Sequence, residues 1–230
     1  MERKPADSKT MDGTNNAPSR LAAQIVAEIH ALSAPNTTTV RAVRRQYSKQ
    51  LTQVDAAFML EVAHVLITQF NQRWLAYELV RYHKAAFRTL GAAEIEALGQ
   101  DIHSWDTVDA FARILAGPAW LQGQLSDATI HQWARSTDLW WRRTALVSTV
   151  ALNMRSQGGK GDVPRTLAIC ELLVADHEDM VVKALSWALR ELIVHDAGAV
   201  ETFLATHERA LAARVKREVR NKLTTGLKNP

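Results

Sequence analysis

Trp105 and Asp109 lie four residues apart in a stretch whose apolar spacing predicts a helix. Residues four apart project from the same helix face, so the indole and the carboxylate are predicted to lie side by side. Each has an ordinary explanation when taken alone: most helical tryptophans belong to the core, and an aspartate is often a solvated charge or pairs with a residue such as Arg113 at i+4. Together they place an aromatic surface beside a negative charge, which is the chemistry of a cation-binding site.

Two later helices contribute candidate partners, Arg143 and Trp187. Asp138 and Asp179 begin similar segments, and their offset of 41 residues (179 − 138) lies within the ~40–47 residues of HEAT and armadillo repeats. Superposing these segments places Arg143 on Ala184, three residues before Trp187. Both side chains are therefore predicted to project from the same side of adjacent repeats, although Arg143 alone also suits a surface or inter-repeat ion pair.

The same superposition pairs Arg142 with Lys183. A basic residue at this point of a HEAT repeat commonly ties neighbouring units together, and that role is predicted for both residues. Trp140 and Trp141 stay open, but at least one of them is expected to pack between repeats.

Apolar residues recur at three- and four-residue intervals from Arg20 onward, and no segment alternates with a period of two. The sequence therefore predicts an all-α fold: a right-handed, HEAT-like or armadillo-like superhelix with a concave face for a long ligand. Gly117-Pro118 is predicted to end the helix that contains Trp105. The predicted helix pairs span residues 55–88, 92–116, 126–155, 163–195 and 197–223.

The first part of the chain differs in composition from the rest. Residues 1–19 are rich in Lys, Asp, Asn, Thr and Pro, which predicts a disordered leader. Residues 20–230 are predicted to form a single HEAT-like repeat domain. No apolar run reaches the ~18 residues of a membrane span, and no secretion signal is recognisable. We therefore expect a cytoplasmic, nucleoid-associated monomer.

Charge and metal chemistry narrow the function classes. The net charge is +4 and the pI about 9.4, which favours polyanionic partners. The single cysteine, Cys170, and the scattered histidines give no disulfide framework and no metal-binding pattern, so neither metal nor cofactor is expected. Basic residues near the C-terminus would suit a DNA backbone, although a solvated face is the default explanation. These residues are Arg209, Arg214, Lys216, Arg217, Arg220, Lys222 and Lys228.

Three motifs, in this order, resemble the AlkD-type family of bacterial DNA alkylation repair glycosylases, which are built from HEAT-like repeats. The motifs are Ser104-Trp105-Asp106-Thr107-Val108-Asp109, Trp141-Arg142-Arg143-Thr144-Ala145 and Lys183-Ala184-Leu185-Ser186-Trp187-Ala188-Leu189-Arg190-Glu191. The resemblance implies excision of N3-methyladenine and N7-methylguanine from double-stranded DNA. It implies that Asp109 is the catalytic carboxylate and that Trp105 and Trp187 face the lesion. It also implies a DNA-binding arginine in the Arg142–Arg143 pair, of which helical phase favours Arg143.

The residue types suit this chemistry. Alkylation at N3 or N7 makes the purine cationic, so the base leaves neutral while positive charge builds on the deoxyribose. A fixed carboxylate stabilises that charge, tryptophan faces attract the cation by roughly 0.5–2 kcal/mol each, and Arg143 would hold a phosphate. The predicted function is therefore a DNA-alkylpurine glycosylase. Two alternatives stay open: a non-catalytic repeat protein that binds DNA structure or damage, and a protein-interaction scaffold.

Overall fold

A computed structural model describes residues 17–230. Within this range the chain is all-helical, without a strand, and its helices pack in a repeat-like array consistent with a HEAT-like fold, as predicted. The α-helices are α1 (Ala17–His30), α2 (Thr37–Gln50), α3 (Ala56–Thr68), α4 (Arg73–Tyr82), α5 (Lys84–Thr89), α6 (Ala92–Leu98), α7 (Trp105–Phe111), α8 (Gly117–Leu121), α9 (Asp127–Ala134), α10 (Leu139–Asn153), α11 (Val163–Leu172), α12 (Asp179–Leu192), α13 (Ala197–Thr206) and α14 (Ala213–Thr225). A π-helical turn (Ala112–Ala116) and a 3-10 turn (Arg155–Gln157) complete the set. The right-handed superhelix and its concave face stay predictions.

Helical structure begins before the end of the predicted leader. Helix α1 begins at Ala17, so residues 17–19, predicted to belong to the leader, are helical. The rest of the predicted leader, residues 1–16, lies outside the described residues. The described chain groups into two compact units with the boundary after Ala86. The single domain predicted over residues 20–230 stays a prediction.

The first unit is built on helices α1 to α4. Helix α3 packs against α1 and α4, and α2 contacts the same two helices. The buried carboxylate of Glu78 on α4 accepts hydrogen bonds from the Nε atoms of Arg41 at 3.1 Å and Arg44 at 3.0 Å, both on α2. Because two guanidinium groups compensate this buried charge, the carboxylate joins the two helices.

Helix α10 forms the centre of the second unit. It is buried from Arg143 to Asn153 and contacts α7, the π turn, α8, α9, α11 and α12. Its N-terminus is capped by Asp138, whose Oδ1 accepts the Trp140 N–H at 2.8 Å. Since α10 packs against both α7 and α12, it brings together the two helices that carry the other candidate site residues.

Trp141 fixes α10 against its neighbours. Its ring meets Phe111 of α7 edge-on, with centroids 6.0 Å apart, and Trp133 of α9 at 5.0 Å. Such aromatic contacts stabilise a pair beyond the area that they bury. The expectation that Trp140 or Trp141 packs between neighbouring elements is therefore confirmed for Trp141.

The helix that begins at Trp105 does not end at Gly117-Pro118, and that prediction is wrong. Helix α7, the π turn and α8 follow one another without a break to Leu121. The Gly117 N–H donates to the carbonyl of Ala112, five residues earlier. In a regular α-helix the ring of Pro118 would clash with the carbonyl four residues before it. The wider π turn displaces those carbonyls, so the helix continues through the proline.

Candidate active site

Trp105, Asp109, Arg143 and Trp187 line one cavity of about 400 Å³ in the second unit. Helix α7 contributes the first two, α10 contributes Arg143, and α12 contributes Trp187. The predicted grouping of these four residues on one surface is therefore present, while their roles stay predictions. The other residues that line the cavity are Met180, Lys183, Arg190 and Lys228.

Asp109 and Arg143 form a bidentate ion pair at the bottom of this site. Arg143 Nε donates to Oδ1 at 2.9 Å, and Nη2 donates to Oδ2 at 2.8 Å. Arg143 Nη1 donates to the carbonyl oxygen of Met180 on α12. The side chains of Arg143 and Asp109 are only 6% and 17% exposed. The pair therefore holds the carboxylate in one orientation relative to α7, α10 and α12.

The observed contacts give Arg143 an ion pair with a neighbouring helix, the alternative that the sequence left open, but with Asp109 as a partner that the sequence did not indicate. A guanidinium has five N–H donors, and three of those of Arg143 are directed at Asp109 and Met180. Arg143 therefore orients the carboxylate. The predicted contact of Arg143 with a DNA phosphate stays a prediction.

Burial raises the pKa of Asp109 above its ordinary value. The hydrogen bonds and positive charge of Arg143 oppose this effect, as does the charge of Arg113, whereas Asp106 adds a smaller upward effect. A carboxylate removed from water is costly to ionise, but once ionised it interacts strongly with nearby positive charge. Asp109 thus has the electrostatic character expected of a group that stabilises a developing cation.

Trp105 is accessible. It is the first residue of α7, after the N-cap residue Ser104, whose hydroxyl lies 2.8 Å from that of Thr107. Its side chain is among the exposed large hydrophobic groups, with 56% of the residue surface accessible. The explanation of Trp105 as a core residue is therefore excluded, and its indole is available to a ligand.

Trp187 is half-buried and held in place on two sides. Its Nε1 donates to Glu191 Oε1 at 2.9 Å, one helical turn later. The guanidinium carbon of Arg113 lies 5.6 Å from the centroid of its ring. A planar cation of the protein therefore packs against one face of this indole.

Arg113 lies in the π turn, which begins at Ala112, and its guanidinium contacts Trp187. The i,i+4 pair with Asp109 that the sequence left open is not among the ion pairs of residues 17–230, where Asp109 pairs with Arg143. The carbonyl that the turn displaces at Arg113 accepts a hydrogen bond from Gln157 Nε2 at 3.1 Å. Arg113 Nε is buried and, among residues 17–230, has no hydrogen-bond partner. Besides its cation–π contact with Trp187, the positive charge of this guanidinium lowers the pKa of Asp109.

Arg142 does not line the cavity. Its Nε donates to Asp176 Oδ2 at 2.7 Å, and Nη1 donates to the carbonyl oxygens of Ser136 and Thr137. Successive helical residues point about 100° apart, so Arg142 and Arg143 face different directions. The predicted contact between neighbouring repeats is confirmed for Arg142, because this residue joins α10 to the segment before α12. Its inclusion among the DNA-binding residues has no support in this geometry.

Five residues of the site were not assigned to it from the sequence: Arg113, Met180, Lys183, Arg190 and Lys228. Lys183 was predicted to contact the neighbouring repeat, but its Nζ pairs with Asp179 Oδ2 of its own helix at 2.7 Å. Lys183 and Arg190 lie four residues before and three after Trp187, so helical spacing alone could have placed them on its face. Met180 takes part through its carbonyl oxygen, which side-chain patterns do not reveal.

The side chains around the cavity carry more positive than negative charge. Four basic residues line it, against the single carboxylate of Asp109. Within the described residues, no group of three or more His, Cys, Asp or Glu side chains is arranged to hold a metal ion. Burial raises the pKa of the Cys170 thiol, so this cysteine is unreactive. None of the helices described is both long and apolar enough to cross a membrane.

A family model described as DNA alkylation repair enzyme matches residues 24–223 of the chain. The chain belongs to this family. The match covers both compact units and every candidate site residue except Lys228. Searches of the curated proteins and of the solved structures gave no significant match. Membership supports an enzymatic role in DNA alkylation repair, with DNA as the substrate.

Proposed function

We propose that the protein is a DNA glycosylase that hydrolyses the N-glycosidic bond of cationic alkylated purines, such as N3-methyladenine and N7-methylguanine, in duplex DNA. The observation that carries this proposal is the shielded carboxylate of Asp109 in a cavity that also contains the exposed indole of Trp105. The family description, DNA alkylation repair enzyme, supports the substrate class. The proposal includes a monomer that acts in the cytoplasm at the nucleoid.

The proposed reaction requires little acid catalysis. The bond between C1′ and the purine nitrogen breaks, and the electron pair neutralises the positive charge of the alkylated base. The deoxyribose becomes oxocarbenium-like, and water adds to C1′ and releases a proton. The protein must therefore stabilise a cation at the sugar, and a fixed negative charge does this without rearrangement during the reaction.

Asp109 has the free lone pairs that this role needs. Each carboxylate oxygen has two acceptor sites, and Arg143 occupies one on each oxygen. The remaining sites can face the sugar or orient the attacking water. Arg143 keeps the carboxylate ionised and oriented, and it also offsets part of the negative charge.

The two tryptophans are proposed to select the alkylated base. Trp105 presents an open indole at the cavity, and Trp187 presents a ring whose orientation is fixed by Glu191. A cationic purine gains from contact with such rings, by roughly 0.5–2 kcal/mol for each favourable contact, whereas a neutral purine does not gain this electrostatic term. The basic side chains at the cavity would be neutralised by DNA phosphates.

A non-catalytic protein that binds damaged DNA is the second candidate. It is favoured by the same Asp109–Arg143 pair, because a bidentate buried pair can join three helices without taking part in a reaction. A structural pair and a catalytic carboxylate predict different results when only the charge of Asp109 is removed.

Asp109→Asn tests the proposal. An asparagine keeps one acceptor for Arg143 but removes the charge, so excision of N7-methylguanine from duplex DNA is expected to fall by about 100- to 1000-fold. Affinity for the duplex is expected to be kept or to rise. Asp106→Asn is the matched control, because Asp106 is exposed on the same helix and does not line the cavity.

Released base is measured in single-turnover reactions, and circular dichroism verifies that both variants are folded. If folded Asp109→Asn excises the base at a rate close to wild type, the catalytic assignment is wrong and the binding role is preferred.

A further inference from the structure

The chain folds back onto α14 after that helix ends. Gly226 has a φ of +75° and terminates α14 in the left-handed conformation that glycine adopts most readily. Lys222 Nζ donates to the Gly226 carbonyl at 2.6 Å, and Asn221 Nδ2 donates to the Lys228 carbonyl at 3.2 Å. These bonds fix the backbone of Lys228, and its side chain lines the cavity that contains Asp109.

A buried carboxylate positions Lys228 together with Arg190. The side chain of Glu218 on α14 is only 4% exposed. Its Oε2 accepts the Ser186 hydroxyl at 2.7 Å and lies 3.5 Å from Lys228 Nζ. The same hydroxyl oxygen accepts Arg190 Nε at 3.2 Å. One acid–hydroxyl pair therefore holds both cations at the wall of the cavity.

The cluster leaves hydrogen-bond donors free. Lys228 lies close to the carboxylate of Glu218, and the charges of Glu218 and Glu191 both act on Arg190. Arg190 is half-buried, and burial lowers the pKa of its guanidinium. Among residues 17–230, neither η nitrogen of Arg190 has a hydrogen-bond partner. Lys183, the third cation nearby, is already paired with Asp179. The cluster thus offers the free donors of Arg190 and the partly exposed ammonium of Lys228 to an anion.

We propose that Arg190 and Lys228 form a binding site for one backbone phosphate of the DNA strand that contains the alkylated nucleotide. A phosphodiester carries one negative charge, and its two free oxygens can accept from the η nitrogens of Arg190 and from Lys228 Nζ. The site rests on the proposed function, because DNA is its ligand. Lys228 lies five residues (228 − 223) after the end of the family match, so the match itself does not include it.

The test uses Lys228→Met in the full chain, with Lys228→Arg as the conservative variant and Lys84→Met as the matched control. Lys84 is the first residue of α5, is exposed and does not line the cavity. Affinity is measured for a duplex with a stable tetrahydrofuran abasic-site analogue. A series of otherwise identical duplexes each carries one neutral methylphosphonate in place of a backbone phosphate near the analogue.

Wild type is expected to lose about tenfold in affinity at one methylphosphonate position, the size of one charge-assisted contact. Lys228→Met should bind the duplex without a methylphosphonate about tenfold more weakly than wild type does. A methylphosphonate at that position should then reduce the affinity of this variant little further. The slope of log affinity against log salt should fall by about one unit. Lys228→Arg and Lys84→Met should behave like wild type.

The proposal is overturned if folded Lys228→Met has the same methylphosphonate profile as wild type, or if Lys84→Met weakens binding equally. It is also overturned if borohydride traps Lys228 on an abasic site, because the lysine then attacks the sugar. Binding to the tetrahydrofuran duplex and to its methylphosphonate derivatives can be measured without any base excision. If the protein excises alkylated bases but its affinity does not depend on the methylphosphonate through Lys228, only the phosphate site is refuted. If that dependence is present but the protein excises nothing, only the proposed activity is refuted.

Discussion

The guanidinium carbon of Arg113 lies 5.6 Å from the centroid of the Trp187 ring. One face of an indole that is proposed to attract a cationic base is therefore already occupied by a cation of the protein. The positive charge of Arg113 also lowers the pKa of Asp109, against the larger opposite effect of burial. Arg113 thus acts on both the proposed selective group and the proposed catalytic group.

Replacing Arg113 by methionine is expected to raise the pKa of Asp109 further, since one opposing positive charge is lost. A rate that needs the ionised carboxylate falls as the pH drops through this pKa. The acidic limb of the pH–rate profile should therefore move to higher pH in Arg113→Met. Single-turnover excision between about pH 4 and 8 measures this shift. Arg135→Met changes an exposed arginine that does not line the cavity, and it should leave the acidic limb where it is in wild type. Acidic limbs at the same pH in wild type, Arg113→Met and Arg135→Met would contradict the effect of Arg113 on Asp109.

Asp109 should also make folding stability depend on pH in an unusual direction. Its pKa is raised by burial, so the folded state binds the proton more tightly than the unfolded state. Its contribution to stability is greatest below the ordinary pKa of about 3.9 and is lost as the pH rises through the folded value. The free energy of unfolding of wild type relative to Asp109→Asn should therefore decline over that window.

Asp106 provides a control of opposite sign on the same helix. The Ser104 hydroxyl is the main cause of its lowered pKa. Its contribution is therefore present above the ordinary pKa of about 3.9 and is lost as the pH falls through the lower folded value. Urea denaturation at a series of pH values measures both differences, and equal slopes for the Asp109 and Asp106 variants would refute the assignment.

Trp105→Ala is expected to impair function without loss of stability. The indole is largely exposed, so its removal leaves no cavity in the core, whereas Trp120 is 1% exposed and its removal should cost roughly 3–5 kcal/mol. Thermal denaturation compares Trp105→Ala with Trp120→Ala. Excision of N7-methylguanine should fall in Trp105→Ala by more than affinity for undamaged duplex does. A large drop in its melting temperature would return Trp105 to a structural role.

Arg143→Ala is expected to destabilise the protein. A groove-facing arginine that binds only phosphate could be removed without unfolding. The observed arginine is buried against Asp109 and Met180, and breaking such a pair costs roughly 3–5 kcal/mol. Lys183→Ala removes a partly exposed i,i+4 pair and should cost less than about 1 kcal/mol. Similar denaturation midpoints for these two variants would argue against the buried-pair assignment.

Local and periodic features of the site were predictable from the sequence. Helical periodicity gave the all-α fold, and the four-residue spacing gave the neighbourhood of Trp105 and Asp109. The repeat offset brought Arg143 and Trp187 to the same side. Each of these inferences uses regular helix geometry, in which a residue number translates directly into a direction.

The remaining features depend on contacts that regular geometry does not describe. Gly117-Pro118 ordinarily marks a helix end, but the π turn before it lets the helix continue. The bond from Arg143 to Met180 uses a backbone oxygen on another helix. Lys228 reaches the cavity only because side chains of α14 hold the tail. Such long-range contacts leave no periodic signal in the sequence.

Because of the π turn, the number of residues between α7 and α8 determines the direction in which Asp109 points. A π turn has one residue more than the α-helical turn that it replaces. Deleting a single residue between 112 and 116 would restore a regular helix and rotate its two ends by about 100° relative to each other. Trp120 anchors the far end through its burial and its hydrogen bond to Asp127 at 2.7 Å. The rotation would therefore fall on α7 and turn Asp109 away from Arg143, so a one-residue deletion could disable the site while every functional group is retained.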